Sequence, residues 1–228
     1  LAAKIHDYHA RSKEPFIKID YGPLGKFVRY TLRSQTADVH EALHHHSGFA
    51  ALFGDALNMS DYHQLLQRMH GFYAPLDAAI FNCLDQHDCQ TDFGYASRSE
   101  ILKQDLADLS LDADLGSLCK EATALVGPDS IGGVLYVIEG ATLGGGQIDR
   151  AVQRHLPDGQ MAGRRYWAWC RAENGRRWQM TIRFIEQLYS SGTSIEDLIS
   201  GANRTFQLFT EWMAPLDTSV PLADHPRT

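Results

Sequence analysis

Residues 133–148 have the sequence GVLYVIEGATLGGGQI, in which an apolar helical run passes directly into four glycines within seven residues. Three interpretations of this stretch are open. The glycines form a flexible loop between helices, a loop that cradles phosphate, or a bent helix whose backbone closely approaches a bulky planar ligand, because glycine has no Cβ to block it. The phosphate loop is disfavoured, since neither G-x-x-x-x-G-K-[ST] nor G-x-G-x-x-G occurs here.

Helical periodicity dominates the sequence on both sides of this stretch. Apolar residues recur at three- and four-residue steps from Phe27 onward, and Ser60 is the predicted N-cap of a helix from Asp61 to about Leu84. Pro75 predicts a kink or break in that helix. Segments 98–109, 172–190 and 195–213 also show a helical pattern, whereas alternating strand patterns are nearly absent. The sequence therefore predicts an all-α, single-domain helical bundle.

We expect this domain to occupy residues 30–214. Residues 1–29 are predicted to form an N-terminal extension, and residues 215–228 a loose C-terminal tail. The composition is that of a globular protein, with 44% hydrophobic and 21% charged residues. A chain of 228 residues is long enough to bury a hydrophobic core.

The charge and cysteine content narrow the partners and the compartment. A formal net charge of −7 disfavours broad electrostatic binding to nucleic acid or to an anionic membrane. No apolar run approaches the length of a membrane span, and the N-terminus has no signal-peptide pattern, although the chain begins at Leu1 and a removed leader stays open. The four cysteines form no C-x-x-C pair, so we expect reduced thiols in a cytoplasmic protein.

A histidine cluster follows the first helical pattern, in the sequence LRSQTADVHEALHHH from residue 32 to residue 46. His40-Glu41-x-x-His44 matches the H-E-x-x-H zinc-protease motif, but the third ligand of the extended motif is missing at the expected spacing. A di-iron site would need a second E-x-x-H motif, and none is present. For His44, His45 and His46 we favour a solvated polar end of a helix.

His40 differs from the other three histidines because its neighbours one turn earlier, Thr36 and Ala37, are small. They leave space beside the imidazole for a flat ligand. Arg33 precedes His40 by seven residues, which is about 700° of rotation and about 10.5 Å along a straight helix, so both side chains share a face. An axial imidazole and a cation at that separation suit heme iron and a heme carboxylate.

The two constellations together resemble the heme oxygenase family, in particular the bacterial branch associated with bacteriophytochromes. The segment LRSQTADVH at 32–40 resembles the proximal helix of the family, and YVIEGATLGG at 136–145 resembles its distal helix. The segments RSEILKQDL at 98–106 and TFQLFTEW at 205–212 are similar to supporting helices of the family. The resemblance runs in order from about 30 to 213.

The resemblance implies a role for individual residues. His40 is the expected axial ligand of the heme iron. Gly140 and Gly144 are the expected distal glycines that let the helix bend over the porphyrin. The remaining residues expected to contact heme are Arg33, Thr36, Tyr136, Gly145 and, as a second propionate partner, Arg177 or its neighbour Arg176. Ala141 stands where many members have a distal aspartate, which leaves Thr142, Gln147 and backbone carbonyls as candidates to order the distal water.

The resemblance also implies the reaction. Heme, as both cofactor and substrate, would be opened to biliverdin, ferrous iron and carbon monoxide with O2 and external electrons. A ferredoxin or a flavoprotein reductase would supply the electrons, since the sequence has no flavin or iron–sulfur motif, and a bacteriophytochrome is a possible acceptor of biliverdin. The alternatives are a non-catalytic heme-binding or storage protein on the same fold, a related helical enzyme acting on a thiamine fragment, and the zinc metalloprotease.

Overall fold

The computed structural model describes residues 22–86, 93–113 and 117–216, and these ranges contain helices and no strand. The α-helices are α1 (Gly22–Gln35), α2 (Ala37–His44), α3 (Ser47–Ala50), α4 (Met59–Gln86), α5 (Arg98–Asp108), α6 (Ile131–Gln153), α7 (Arg165–Ser190) and α8 (Ile195–Met213). Short 3₁₀ helices cover Ala51–Phe53, Lys120–Leu125 and Ala214–Leu216. The predicted all-α, single-domain fold is confirmed.

Helix α6 lies against both α7 and α8, and glycines permit the close approach on each side. A Cβ added to Gly133 would lie 2.1 Å from the carbonyl oxygen of Leu198, so α6 and α8 touch backbone to backbone near their N-termini. A Cβ added to Gly145 would lie 2.2 Å from the Cβ of Cys170 in α7. Because α6 is continuous from Ile131 to Gln153, the glycine-rich stretch is part of a helix and is not a loop.

The buried hydrophobic residues form two clusters. The larger contains residues of α4 to α8, such as Leu76, Leu102 and Leu135. The smaller cluster attaches α1 to the rest of the domain, because Val28 and Leu32 pack with Val137 and Phe206 and their neighbours. Helix α1 thus packs mainly on α7 and α8, next to Val137 of α6.

Pro75 does not break α4, which runs without interruption to Gln86. Proline has no N–H to donate to the carbonyl four residues earlier, at Gly71. That carbonyl instead accepts a hydrogen bond of 2.9 Å from the N–H of Cys119, which enters from the 117–119 segment. A contact that is remote in sequence therefore satisfies the group that proline leaves unpaired.

Several predicted boundaries differ from the structure. The first helix begins at Gly22 rather than Phe27, so the expected domain start at residue 30 falls inside α1. Asn58, not Ser60, caps α4, since its side-chain oxygen accepts the N–H of Ser60 at 2.9 Å. Helix α7 begins at Arg165, seven residues before the predicted start. The tail beyond Leu216 and residues 1–21 lie outside the described residues.

Two further features of the sequence, its lack of a membrane span and its cysteines, can be compared with the described ranges. None of the helices there combines the length and the apolar character that crossing a membrane requires. Cys83, Cys119 and Cys170 are buried free thiols, and Cys89 lies outside the described residues. Burial raises the pKa of the Cys170 thiol to about 12, so this group is protonated at neutral pH.

Candidate functional site

The junction between α1 and α2 is formed by Thr36, whose backbone leaves helical geometry at φ −115° and ψ 6°. Its hydroxyl donates to the carbonyl of Leu32 at 2.8 Å, and its side chain is buried. The N–H of His40 still bonds to the carbonyl of Thr36 at 3.0 Å. Hydrogen bonding continues across the junction, but the straight-helix spacing between Arg33 and His40 does not apply unchanged.

His40 lies on α2 with an exposed side chain. Its ring meets Phe206 of α8 edge-on, with centroids 6.0 Å apart and planes at 85°. Such an edge-to-face contact restricts the imidazole without burying it. The side chain is thus held against the bundle and is exposed at its surface.

Two of the neighbouring histidines have other contacts, and the side chain of His44 lies outside the described residues. His45 lies 3.4 Å from the carboxylate of Glu41 on the exposed face of α2. His46 is buried, and the expectation of a solvated polar end is wrong for it. Its Nδ1 accepts the N–H of Gly48 at 3.2 Å, and its Nε2 lies 3.1 Å from the carbonyl of Met213, to which it donates. His46 therefore caps α3 and fastens it to the end of α8.

The zinc-protease interpretation gains no support from this arrangement. Glu41 contacts His45, which is not one of the two histidines of the motif. In the part of the chain that the structure describes, no three His, Cys, Asp or Glu side chains come together as a metal site.

Tyr136, Gly140 and Gly144 share one face of α6, because they are spaced four residues apart. Tyr136 and Gly140 are half-buried and contact Trp178 of α7. The two aromatic ring centroids are 5.4 Å apart, and a Cβ on Gly140 would lie 3.4 Å from the indole. Gly144 is exposed, and no atom lies within 4 Å of an added Cβ. This face therefore has an aromatic wall at Trp178 and open space at Gly144.

Tyr136 joins this face of α6 to α1. Tyr136 packs against the hydrophobic cluster that contains Val28 and Leu32 of α1. Burial raises the pKa of Tyr136, while the nearby Thr36, Arg29 and Arg33 act in the opposite direction. The structure thus brings together Arg33, Thr36 and Tyr136, and it adds Arg29, which the sequence reasoning did not identify. A phenol beside two guanidinium groups is suited to bind a carboxylate.

Gly145 faces away from this site, in contrast to the expectation that it contacts the ligand. The next position along a helix is rotated by about 100°, and Gly145 is buried against Cys170. Thr142 is likewise buried and donates to the carbonyl of Glu139 at 2.6 Å. Among the side chains proposed to order water at this face, only Gln147, which is half-buried, stays a candidate.

Arg177 does not offer its charge to a ligand, which corrects the expected propionate contact. Its Nε and Nη2 donate to the two carboxylate oxygens of Glu139 at 2.8 and 2.6 Å. Arg98 lies 2.6 Å from the same carboxylate, and all three side chains are at most 2% exposed. Burial alone would raise the pKa of Glu139, but the two arginines more than offset this effect and hold it below the usual range. Arg176 pairs with Glu173.

Sequence reasoning missed Glu139 and Arg98, although one signal was present. A carboxylate that directly follows the apolar run 133–138 is buried on a helix that packs on both sides, and a buried carboxylate needs cationic partners. The sequence could not show that those partners come from positions 98 and 177.

Comparison with known proteins gives one match. The family model described as heme oxygenase matches residues 28–215, which is most of the chain. Neither the curated proteins nor the solved structures include a match.

Proposed function

The chain belongs to the heme oxygenase family, and from this premise we propose that it opens heme to biliverdin, ferrous iron and carbon monoxide, with O2 and electrons from an external donor. The observation that carries the proposal is the meeting of Tyr136, Thr36 and Arg33. Tyr136 packs beside α1, which leads into the helix that bears His40, and it lies on the face of α6 that bears Gly140 and Gly144. This arrangement supports an anion-binding group between the histidine and the glycine face.

The donor chemistry of the described residues supports heme as the ligand. An exposed imidazole at His40 is a common axial ligand of heme iron. The cationic group around Tyr136 matches the carboxylates of the propionates. The open space at Gly144 is a position that a Cβ and larger side chains would fill. Heme supplies the iron at which O2 is activated, and the protein supplies position and electrostatics.

Each group in this proposal has a distinct task. His40 would bind the heme iron, and its contact with Phe206 orients the ring. Arg33, Thr36 and Tyr136 bind a propionate and so fix the in-plane rotation of the substrate. Gly140 and Gly144 keep the opposite side free of side chains, next to the wall formed by Trp178. A fixed rotation under a close helix exposes one meso edge to oxidation, which determines the biliverdin isomer.

The electron donor, the compartment and the fate of the product belong to the same proposal. We propose a ferredoxin or a flavoprotein reductase as the donor, a cytoplasmic location, and a bacteriophytochrome as an acceptor of biliverdin. The placement of the chain in the bacterial branch of the family is proposed on the motifs at 32–40 and 136–145.

The test is a heme titration followed by a turnover assay. Purified protein is titrated with hemin, and a Soret band that saturates at one equivalent is expected. Addition of a ferredoxin, its reductase and NADPH in air should then replace the Soret band with the absorption of biliverdin. A saturating Soret band without bilin formation would instead favour the non-catalytic heme-binding protein, and no Soret band would exclude both.

A further inference from the structure

The glycine-rich segment 140–146 of α6 lies between two buried carboxylates, and arginines contact each of them. Glu139, before the segment, is paired with Arg98 and Arg177. Asp149, after it, has its oxygens 3.0 Å from Nε of Arg164 and 3.2 Å from Nη1 of Arg171. Glu139 and Asp149 are 0% and 1% exposed. We refer to these two carboxylates with their four arginines as the carboxylate clamp.

The segment needs external support because its own sequence gives little. Glycine has a much lower helix propensity than alanine, and four of the seven residues are glycine. Gly145 packs against Cys170 but contributes no side chain to the contact. A Cβ added to Gly144 would have no neighbour within 4 Å. Thr142, a buried side chain within the segment, bonds to a carbonyl of α6 itself. The ion pairs with neighbouring parts of the bundle lie at the two ends of the segment, and those of Arg177 with Glu139 and of Arg171 with Asp149 are also hydrogen bonds.

The clamp connects both ends of the segment to α7. The two helices run antiparallel, so that Glu139 meets Arg177, Gly145 meets Cys170 and Asp149 meets Arg171. Arg98 adds a connection to α5, and Arg164 adds one to the residues that precede α7. Three parts of the bundle thus fix the position of the glycine face.

We propose that Glu139 and Asp149 are positioning residues that hold Gly140 and Gly144 at a fixed distance from bound heme. This inference rests on the proposed function, since it assumes that the glycine face covers heme. The two carboxylates do not touch the ligand in this proposal. They act through the backbone of α6, and their removal lets the segment move rather than removing a contact with heme.

Asp149 is the more suitable carboxylate to remove. Its partner Arg171 has a side chain that is 52% exposed, so water can solvate this guanidinium once the carboxylate is gone. The second partner, Arg164, is 11% exposed, and in Asp149→Asn it still faces an amide oxygen. Removal of Glu139 would instead leave two guanidinium groups buried without a counter-charge, which strongly destabilises a protein. The matched control is Asp108→Asn, because Asp108 also pairs with an arginine of α7, Arg165, but does so from α5.

The experiment measures two properties of Asp149→Asn, Asp149→Glu, Asp108→Asn and the wild type. The first is amide hydrogen exchange of peptides covering 140–148 in the heme-free proteins. The second is the ratio of biliverdin isomers from the heme-loaded proteins. We expect exchange about tenfold faster in Asp149→Asn, a mixed isomer product, and values close to wild type for Asp149→Glu and Asp108→Asn. Arg171→Gln repeats the test from an exposed position if Asp149→Asn does not fold.

The outcomes separate this inference from the proposed function. Unchanged exchange at 140–148 in Asp149→Asn would show that the clamp does not hold the segment. Faster exchange with an unchanged isomer ratio would show that the segment does not position heme, and either result overturns the inference while the proposed function stands. Wild-type protein that takes up no heme overturns the proposed function and the positioning role together, and this is seen before any variant is compared.

Discussion

At the scale of single residues, three histidines within one short segment occupy three different environments. His40 is exposed against the edge of Phe206, His45 pairs with Glu41 at the surface, and His46 is buried with both ring nitrogens hydrogen-bonded. Only the first environment leaves an imidazole both oriented and accessible. The three side chains are identical, so what each imidazole can do depends on its contacts and its exposure.

The first prediction separates His40 from His45. We expect His40→Ala to lose the spectrum of heme with an axial histidine and to form no biliverdin, since the proposed iron ligand is gone. His45→Ala should keep the wild-type spectrum and turnover, because an exposed pair such as His45–Glu41 contributes at most about 1 kcal/mol. The measurement is the Soret band of the ferric protein with and without added imidazole. Normal ligation in His40→Ala would remove this residue from the site.

The second prediction concerns two adjacent glycines that face different neighbours. Gly144→Ala should raise the free energy of unfolding by about 1 kcal/mol, because alanine favours the helix and the Cβ meets nothing. Gly145→Ala should lower it by about 1–3 kcal/mol, because its Cβ would overlap that of Cys170. Urea unfolding of the heme-free proteins measures both. Equal effects would mean that α6 is rotated relative to this description.

A larger side chain at Gly144 tests the proposed function at the same position. Gly144→Leu should fold, since the position is open, yet it should bind heme weakly or form little biliverdin because the leucine occupies the space proposed for the ligand. Circular dichroism controls for helix content. Native turnover in Gly144→Leu would show that this glycine does not face heme.

At the scale of helices, the sequence predicts a helix boundary where the capping signal is local and misses it where the cap comes from a remote residue. Helix α8 was placed correctly at 195–213, because Ser194 caps it through the N–H of Asp197 and the apolar face is regular. The start of α7 was missed because its cap is remote. The carboxylate of Asp105, on α5, accepts the N–H groups of Arg165 and Tyr166 at 2.8 and 2.9 Å.

The residues of the candidate site also fall into those that local motifs identify and those that depend on remote contacts. The patterns at 32–40 and 136–145 identified Arg33, Thr36 and Tyr136, which the structure brings together. Which glycine faces the site and which faces α7 depends on the rotation of α6 in the bundle, so Gly145 was assigned incorrectly. Arg177 was misplaced for a related reason, since its partner Glu139 is 38 residues away in sequence.

The third prediction tests the connection that His46 makes between α3 and the end of α8. His46→Ala should lower the free energy of unfolding by about 2–4 kcal/mol, because it removes two buried hydrogen bonds and leaves a cavity. Heme ligation in the folded fraction should persist, since His46 faces Met213 and not the site. Thermal unfolding measures the loss, with His45→Ala as the exposed control. Stability equal to that of His45→Ala would contradict the buried role.

At the scale of the whole molecule, buried charged groups connect most of the bundle. Asp77 of α4 caps α5 through Ser99, Glu139 of α6 binds arginines of α5 and α7, and Asp105 of α5 caps α7. Each carboxylate that is buried on folding must find partners there. The stability of the domain should therefore depend on pH wherever folding shifts the pKa of such a group.

The last prediction uses Asp105, for which burial raises the pKa from 3.8 to about 6 although two backbone N–H groups oppose this effect. Between about pH 4 and pH 6 the native state holds a proton that the unfolded chain has released. Stabilisation from this proton is complete below about pH 4 and is lost as pH rises through 6. The shift corresponds to about 3 kcal/mol in the free energy of unfolding.

Asp105→Asn cannot titrate at this position, so the difference between wild type and variant isolates the contribution of Asp105 from that of other ionisable groups. Urea unfolding at half-unit steps from pH 4 to pH 7 gives this difference. We expect the wild type to lose stability relative to Asp105→Asn with increasing pH, mainly between pH 4 and 6, and the difference to level off above that range. A difference that stays constant, or that grows in favour of the wild type, would mean that the two N–H bonds at the start of α7 stabilise the carboxylate more than burial destabilises it.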